Sequence, residues 1–317
     1  MADAAIPKII RREAALIGRL PSDFWIVHTF PLALGCAIGY PKRTKMTEGA
    51  GTVKFQRITA LLLAVCLCLT LIGCGNRSGG AYTMIETLTE GQYAIGFRNG
   101  DPAAEYVQAA LKVLSAQGRI GEISVKWFGK EAASFEADAG ALDAVGQPQP
   151  RTFIMGMDPD NFPMSYIDSN VYMGFDVDVA KAVCELLGWE LKFQEIGDES
   201  DAYVELSSGN VDCVWGGMLL DPAETKYQVV CPYMDGGVVV VVLSGSHLGS
   251  MRRLSGKVIG MNDAAKYADA LALTDLSARA GEIRVTDAGN ETVFDNLYKG
   301  NYDAIITDYA AAMYYMR

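Results

Sequence analysis

Few side chains in this sequence could carry out bond chemistry. There are two histidines, His28 and His247, in 317 residues. That argues against a His-rich zinc or iron centre and against most His-based proton transfer. His247 falls in a Ser/Gly loop at 244–250, so no Ser–His or Cys–His pairing is available. Of the seven cysteines, Cys184, Cys213 and Cys231 lie in the long C-terminal part. An odd number without a CxxC gives neither a disulfide framework nor a metal spacing, and buried free thiols are expected. What the sequence offers instead is charge, with 38 Asp and Glu against 27 Lys and Arg and a net of −11. Such a balance argues against a nucleic-acid binder, which needs a basic face. No metal and no cofactor is expected.

The charge is unevenly spread. Residues 1–73 hold nine Lys/Arg and four Asp/Glu, net +5, and residues 74–317 hold eighteen and thirty-four, net −16. A basic head on an acidic body suggests a targeting segment ahead of a soluble domain. Residues 58–73 (ITALLLAVCLCLTLIG) are sixteen residues without a charge, preceded by Lys54 and Arg57 and followed by Cys74-Gly75-Asn76. Basic n-region, apolar h-region and small residues at the cut form the layout of a signal peptide, here 46–73 from Met46. The run is short of the about 20 apolar residues that span a bilayer. Leu71-Ile72-Gly73-Cys74 resembles the lipobox of bacterial lipoproteins, which implies cleavage before Cys74 and diacylglycerol on its sulfur. A buried or spanning helix with a chance cysteine is the alternative. Residues 74–81 then read as a Gly/Ser-rich tether. Residues 1–45 are an extra segment, either a mis-assigned start or a cytoplasmic or membrane-contacting piece.

The elements that must position any site follow from periodicity. Strands are expected at 93–97, 152–157, 191–196, 211–215, 237–243, 257–261, 283–286 and 302–307. Helices are expected at 102–115, 120–127, 202–208, 222–227, 264–273, 291–299 and 308–316. One more starts with Asp176 as N-cap, carries Val179, Ala180, Val183, Leu186 and Leu187 on one face, and stops at Gly188. Strands alternating with helices predict an α/β fold with mostly parallel sheets. Residues 130–150 (KEAASFEADAGALDAVGQPQP) have the composition of a linker.

The pieces FPMSYIDSNVYMGFDVDVAKAVCELLGWELKF (162–193), LSSGNVDCVWGGM (206–218), LSGKVIGM (254–261), LYKGNYDAIITD (297–308) and YAIGFRNGDP…AALKVLSAQGRIGEISVKWFG (93–129) resemble the bacterial extracellular solute-binding proteins of family 3. That family feeds amino-acid ABC transporters. The resemblance covers most of 82–129 and 151–317. It implies a two-lobed periplasmic-binding-protein-like fold of type II, closing on a ligand like a hinged trap. The order differs from the family's, where the YAIGF…KWFG piece comes last. A circular permutation is expected, with 130–150 as the joining linker. A tandem relic and a chain truncated at Arg317 are the alternatives. Lobe 1 would be 93–129 with 151–243, and lobe 2 would be 82–92 with 244–317. The crossing strands would lie at 237–243 and around 92–96.

The resemblance also implies a cleft at the carboxyl ends of strands. A buried amino acid needs a partner for its carboxylate and another for its ammonium. The family's ammonium-binding Asp is matched by Asp308, and a further cleft position by Asp158. In Gly217-Met218-Leu219-Leu220-Asp221-Pro222-Ala223-Glu224, however, Glu224 stands where the family has its carboxylate-binding Arg, and Leu219 where it has a Thr. The second loop reads Asn262-Asp263-Ala264-Ala265-Lys266, without hydroxyl donors. Asn161 and Glu199 replace ligand-stacking aromatics, while Phe162 and Tyr166 could line the cleft and Trp215 is expected in the core. Lys266 is a substitute partner for the carboxylate. Alternatively Asp158, Asp221, Glu224 and Asp308 make an acidic cleft for a cationic ligand, or Asp221 and Glu224 face solvent at a helix start.

The function this implies is a lipid-anchored, extracellular binding protein that hands an amino-acid-like solute to an ABC permease. Its partners would be a small-molecule ligand, the permease and the membrane, with no nucleic acid. The alternatives are a ligand-degenerate sensor or interaction domain and, since some relatives of this fold are small-acid dehydratases, an enzyme. No enzymatic activity is expected.

Overall fold

The Val-rich run at 237–243 lies at the middle of the large sheet. The computed structural model describes residues 80–197 and 201–317. Residues 1–79, with the signal, Cys74 and most of the tether, and Glu199 lie outside the described residues. Val239 and Val241 are fully buried on one face of their strand against Val293, Phe294 and Leu297. Val240 and Val242 are buried on the other face against Leu254, Ile259 and Tyr267. A strand covered on both faces reads as a continuous apolar run, which is why it shows no alternation in the sequence.

In chain order the elements are β1 (Tyr82–Phe97), α1 (Ala103–Ala116), α2 (Arg119–Phe128), α3 (Ala141–Val145), β2 (Thr152–Met157), β3 (Asp160–Asn161), β4 (Ser165–Asp168), β5 (Val171–Met173), α4 (Phe175–Leu187) and β6 (Glu190–Glu195). Then come α5 (Ala202–Ser208), β7 (Cys213–Val214), β8 (Gln228–Leu243), a 3-10 turn at Met251–Leu254, β9 (Val258–Met261), α6 (Ala268–Ala272), α7 (Leu276–Arg279), β10 (Glu282–Val285), α8 (Asn290–Tyr298), β11 (Ala304–Asp308) and α9 (Tyr309–Tyr315). Eight strands form one sheet in the order β10-β9-β11-β8-β1-β7-β2-β6, and β3-β4-β5 form a small second sheet.

Within each end of the large sheet the pairing is parallel, β2 with β6 and β7, and β9 with β10 and β11. The two sixteen-residue strands β1 and β8 pair antiparallel along their whole length and join the ends, so the sheet as a whole is mixed. Their first pairs, Tyr82 with Leu243 through Glu90 with Gly237, lie beside β11, and their last, Ile95 with Val230 through Phe97 with Gln228, lie beside β7. At the midpoint Gly237 adopts φ +119, and a Cβ there would come 2.0 Å from the Thr89 carbonyl oxygen. No side chain fits at that crossing.

Helix α4 buries Val179, Ala180 and Val183 completely, as its apolar stripe requires. Asp176, expected as its N-cap, instead lies inside the helix, 0% exposed, and the cap position belongs to Gly174. The helix expected at 222–227 is absent. Its donors are taken locally: Asp221 Oδ1 accepts the N–H of Ala223 at 2.8 Å, and Glu224 Oε1 accepts those of Thr225 (2.7 Å) and Lys226 (2.8 Å). Side-chain bonds of this kind compete with helix formation. They leave Asp221 and Glu224 at no helix start. The same competition shortens the helix expected at 264–273 to α6, because Asp263 Oδ1 accepts the N–H of Ala265 (2.8 Å) and Lys266 (3.0 Å).

Residues 130–150 are not a loose tether. Phe135 stacks on Tyr233 at 5.1 Å, and the Ser134 N–H donates to the Tyr233 carbonyl at 2.7 Å. Trp189 Nε1 donates to the Gln149 carbonyl at 3.0 Å, and α3 packs its Ala141 on Ala109 and Val113. Composition hid these contacts because one aromatic and a few alanines supply them.

Candidate ligand-binding cleft

Four strand ends supply the groups with charge or hydrogen-bonding capacity. Asp158 follows β2, Trp215-Gly216-Gly217 follows β7, Asn262 follows β9, and Asp308 is the last residue of β11. Because β2 and β7 are parallel, and β9 and β11 likewise, each pair of ends emerges on one side.

Asp308 is 7% exposed. Its Oδ2 accepts from Lys266 Nζ at 2.8 Å and from the Tyr267 hydroxyl at 3.1 Å. The Lys266 side chain is 33% exposed and that of Asp308 10%. Burial pulls the Lys266 ammonium down, but the Asp308 and Asp158 carboxylates reverse this and hold it above its usual value. Burial raises the Asp158 carboxyl, opposed by the N–H of Asp160 at 2.9 Å and by the charge of Lys266. Asp158 and Lys266 thus act on one another although they sit on opposite ends of the sheet. Tyr93 of β1 is 1% exposed, and its hydroxyl is raised well above the usual value by burial and then by Asp308, Asp176 and Asp158.

Gly217 is held from both sides. Its N–H donates to Asp176 Oδ2 at 2.9 Å, and its carbonyl accepts from Asn161 Nδ2 at 2.7 Å. Its φ is +80, and a Cβ would come 2.5 Å from that of Asn161. Asn161 is 6% exposed, and its Oδ1 has no partner among the described residues. Asn262 Oδ1 is likewise buried and without a partner. A donor group would satisfy these two orphan acceptors.

The remaining expected residues are placed differently. The Leu219 side chain lies over Gly91 and Gly236, where a Cβ on Gly236 would come 2.2 Å from it. The Glu224 carboxylate is folded back on its own loop, and the backbone N–H groups of Lys226 and Thr225 hold it below the usual range. Ala265 is exposed, with its N–H spent on Asp263. Phe162 packs edge-on against Tyr314 at 4.7 Å and Tyr166 at 5.0 Å, in an aromatic cluster with α9. Trp215 is fully buried in the core. Beside Leu219 a cavity of about 740 Å³ opens over the crossing strands, lined among others by Glu90, Gln92, Asp221, Asp235 and Tyr309, with no Lys or Arg among the described lining residues.

The structure adds residues that periodicity could not reveal. Asp176 accepts the Tyr233 hydroxyl at 2.5 Å on Oδ1 while holding Gly217 on Oδ2, and burial pushes its carboxyl up to about 7. An acid in the first turn of a helix looks like a cap, so nothing in the sequence marked it. Tyr267 is the neighbour of Lys266 in the sequence and shares its acceptor.

The model of the bacterial extracellular solute-binding proteins, family 3, matches residues 153–312. With half of its residues covered, the chain belongs to that family. Over 124 residues it is 31% identical to the arginine-binding extracellular protein ArtP of Bacillus subtilis (strain 168), covering 38% of this chain and 48% of that protein. Over 171 residues it is 27% identical to a probable amino-acid ABC transporter-binding protein of Haemophilus influenzae, covering 53% of this chain and 63% of the relative. The match therefore spans about half to two thirds of the length of these relatives. Among solved structures, an ABC uptake transporter substrate-binding protein from Streptococcus pneumoniae with bound histidine is 28% identical at a TM-score of 0.39, covering 52% of this chain and 68% of that one. An ancestral arginine-binding protein bound to arginine is 26% identical at 0.35, covering 52% and 73%.

Proposed function

We propose that this protein is the extracellular binding component of an amino-acid ABC importer, anchored through a lipid on Cys74, and that it takes a basic amino acid into the cleft between its two lobes. The observation that carries this reading is the Lys266–Asp308 ion pair at 2.8 Å, with the Asp158 carboxylate near enough to act on the Lys266 charge. Two carboxylates and one ammonium have as their complement one carboxylate and two cationic groups, which is the charge pattern of an amino acid with a basic side chain. The unpartnered Oδ1 of Asn161 beside Asp158 suits a donor on that side chain. The two relatives, an arginine-binding extracellular protein and a probable amino-acid ABC transporter-binding protein, agree with the class. Family order would lead from residue 316 into residue 80, and the closeness of Gly80 to the Met316 carbonyl oxygen, 2.8 Å from a Cβ placed on Gly80, supports a permuted chain with 130–150 as its joint.

A second reading, a ligand-degenerate interaction domain, is favoured by Glu224 in place of an arginine and by an Asp308 that already has a partner. A thermal-shift screen of the purified protein against the L-amino acids separates the two. A ligand that binds only the native state at a hundred times its Kd adds about 2.7 kcal/mol. A rise in Tm confined to basic amino acids supports the first reading, and a flat panel supports the second.

A further inference from the structure

Lys266 holds the acid that a ligand ammonium would need. Its ammonium donates to Asp308 Oδ2 at 2.8 Å, while Asp308 itself ends β11 and also accepts the Tyr267 hydroxyl at 3.1 Å. The backbone of Lys266 is pinned by Asp263, but its four-carbon stem can swing from that anchor. Taking Lys266 away alone would leave Asp308 buried and uncompensated, which is unfavourable. Among the residues expected at the site there is no other cation, since position 219 is a leucine and position 224 a glutamate closed onto its own loop. A ligand carboxylate arriving in the cleft therefore has Lys266 as its ionic partner.

Resting on the reading of the protein as an amino-acid receptor, we infer that ligand enters by exchange of ion pairs: its ammonium replaces Lys266 on Asp308, and the released Lys266 takes its carboxylate. One internal pair opens and two new pairs close. A ligand with an ammonium alone leaves Lys266 without a partner in the cleft, and one with a carboxylate alone leaves Asp308 so. The internal pair thus selects for both ends of the amino acid at once, a task that the missing arginine cannot perform.

The test uses calorimetric titration of the full chain in three forms, unsubstituted, Lys266→Gln and Lys266→Arg. The probes are L-arginine with its decarboxylated amine agmatine, and L-lysine with cadaverine. The unsubstituted protein is expected to bind at least one of the two amino acids and to prefer it to its amine. Lys266→Gln should weaken amino-acid binding by roughly tenfold or more while leaving amine binding unchanged or tighter, because Asp308 is then open. Lys266→Arg should keep the preference. A glutamine variant that binds the amino acid as tightly as before, or that loses both classes alike, overturns the exchange while the receptor reading stands. If the unsubstituted protein binds neither amino acid, the receptor for basic amino acids falls, and the exchange with it.

Discussion

Asp176 makes the stability of this fold depend on pH in a direction opposite to that of most carboxylates. It is fully buried, with Tyr233 on one oxygen and Gly217 on the other. Burial pushes its carboxyl from 3.8 up to about 7. In the unfolded chain the group ionises near 4, so between about pH 4 and pH 7 the native state holds a proton that the unfolded state has lost. Native stability must then fall as pH rises through that window and level off above it. At 1.36 kcal/mol per pH unit the gap amounts to about 4 kcal/mol. Asp176→Asn removes the titration and keeps the shape, with an amide oxygen for the Gly217 N–H and an amide N–H for the Tyr233 oxygen. Urea unfolding followed by tryptophan fluorescence at pH 5, 6, 7 and 8, with the difference between the two proteins taken at each pH, isolates this group from all others. The unsubstituted protein is expected to lose stability relative to the variant with each step up to pH 7. A difference that does not change with pH, or one that moves in favour of the carboxylate as pH rises, would refute the reasoning.

Three other substitutions test the crossing strands and the lipid anchor. Gly237→Ala forces a Cβ to within 2.0 Å of the Thr89 carbonyl at φ +119, and should cost at least about 2 kcal/mol by urea midpoint. Gly249→Ala, with nothing within 4 Å, is its control and should stay within about 0.5 kcal/mol. Cys74→Ser should move the protein from the membrane to the soluble fraction on cell fractionation, and retention would count against the lipid anchor.

The elements with strong periodicity were legible in the sequence. Strand β2 and helix α5 have their expected bounds, and the Val-rich run and the stripe of α4 fall in the core. Failures occurred where a single side chain took over backbone donors, as Asp221 and Glu224 did after β7 and Asp263 did before α6. Periodicity counts apolar positions and has no term for such local bonds. The same blindness hid Asp176, whose partners Tyr233 and Gly217 are 57 and 41 residues away. At the site, Asp158, Asn161, Lys266 and Asp308 could be named through the family resemblance of the stretches that carry them, not through their own spacing. That Lys266 already sits on Asp308 could not be read, since it depends on a side-chain torsion and not on spacing.

The central claim is that the cleft receives an amino acid through Asp308. Isothermal titration of the ligand found in the screen against the unsubstituted protein and Asp308→Asn tests it most directly. The account predicts saturable binding with one ligand per chain, weakened by roughly tenfold or more in the variant, where the ammonium loses its buried acid. Equal affinity in the two proteins would contradict it, since the ligand would then sit somewhere other than this cleft.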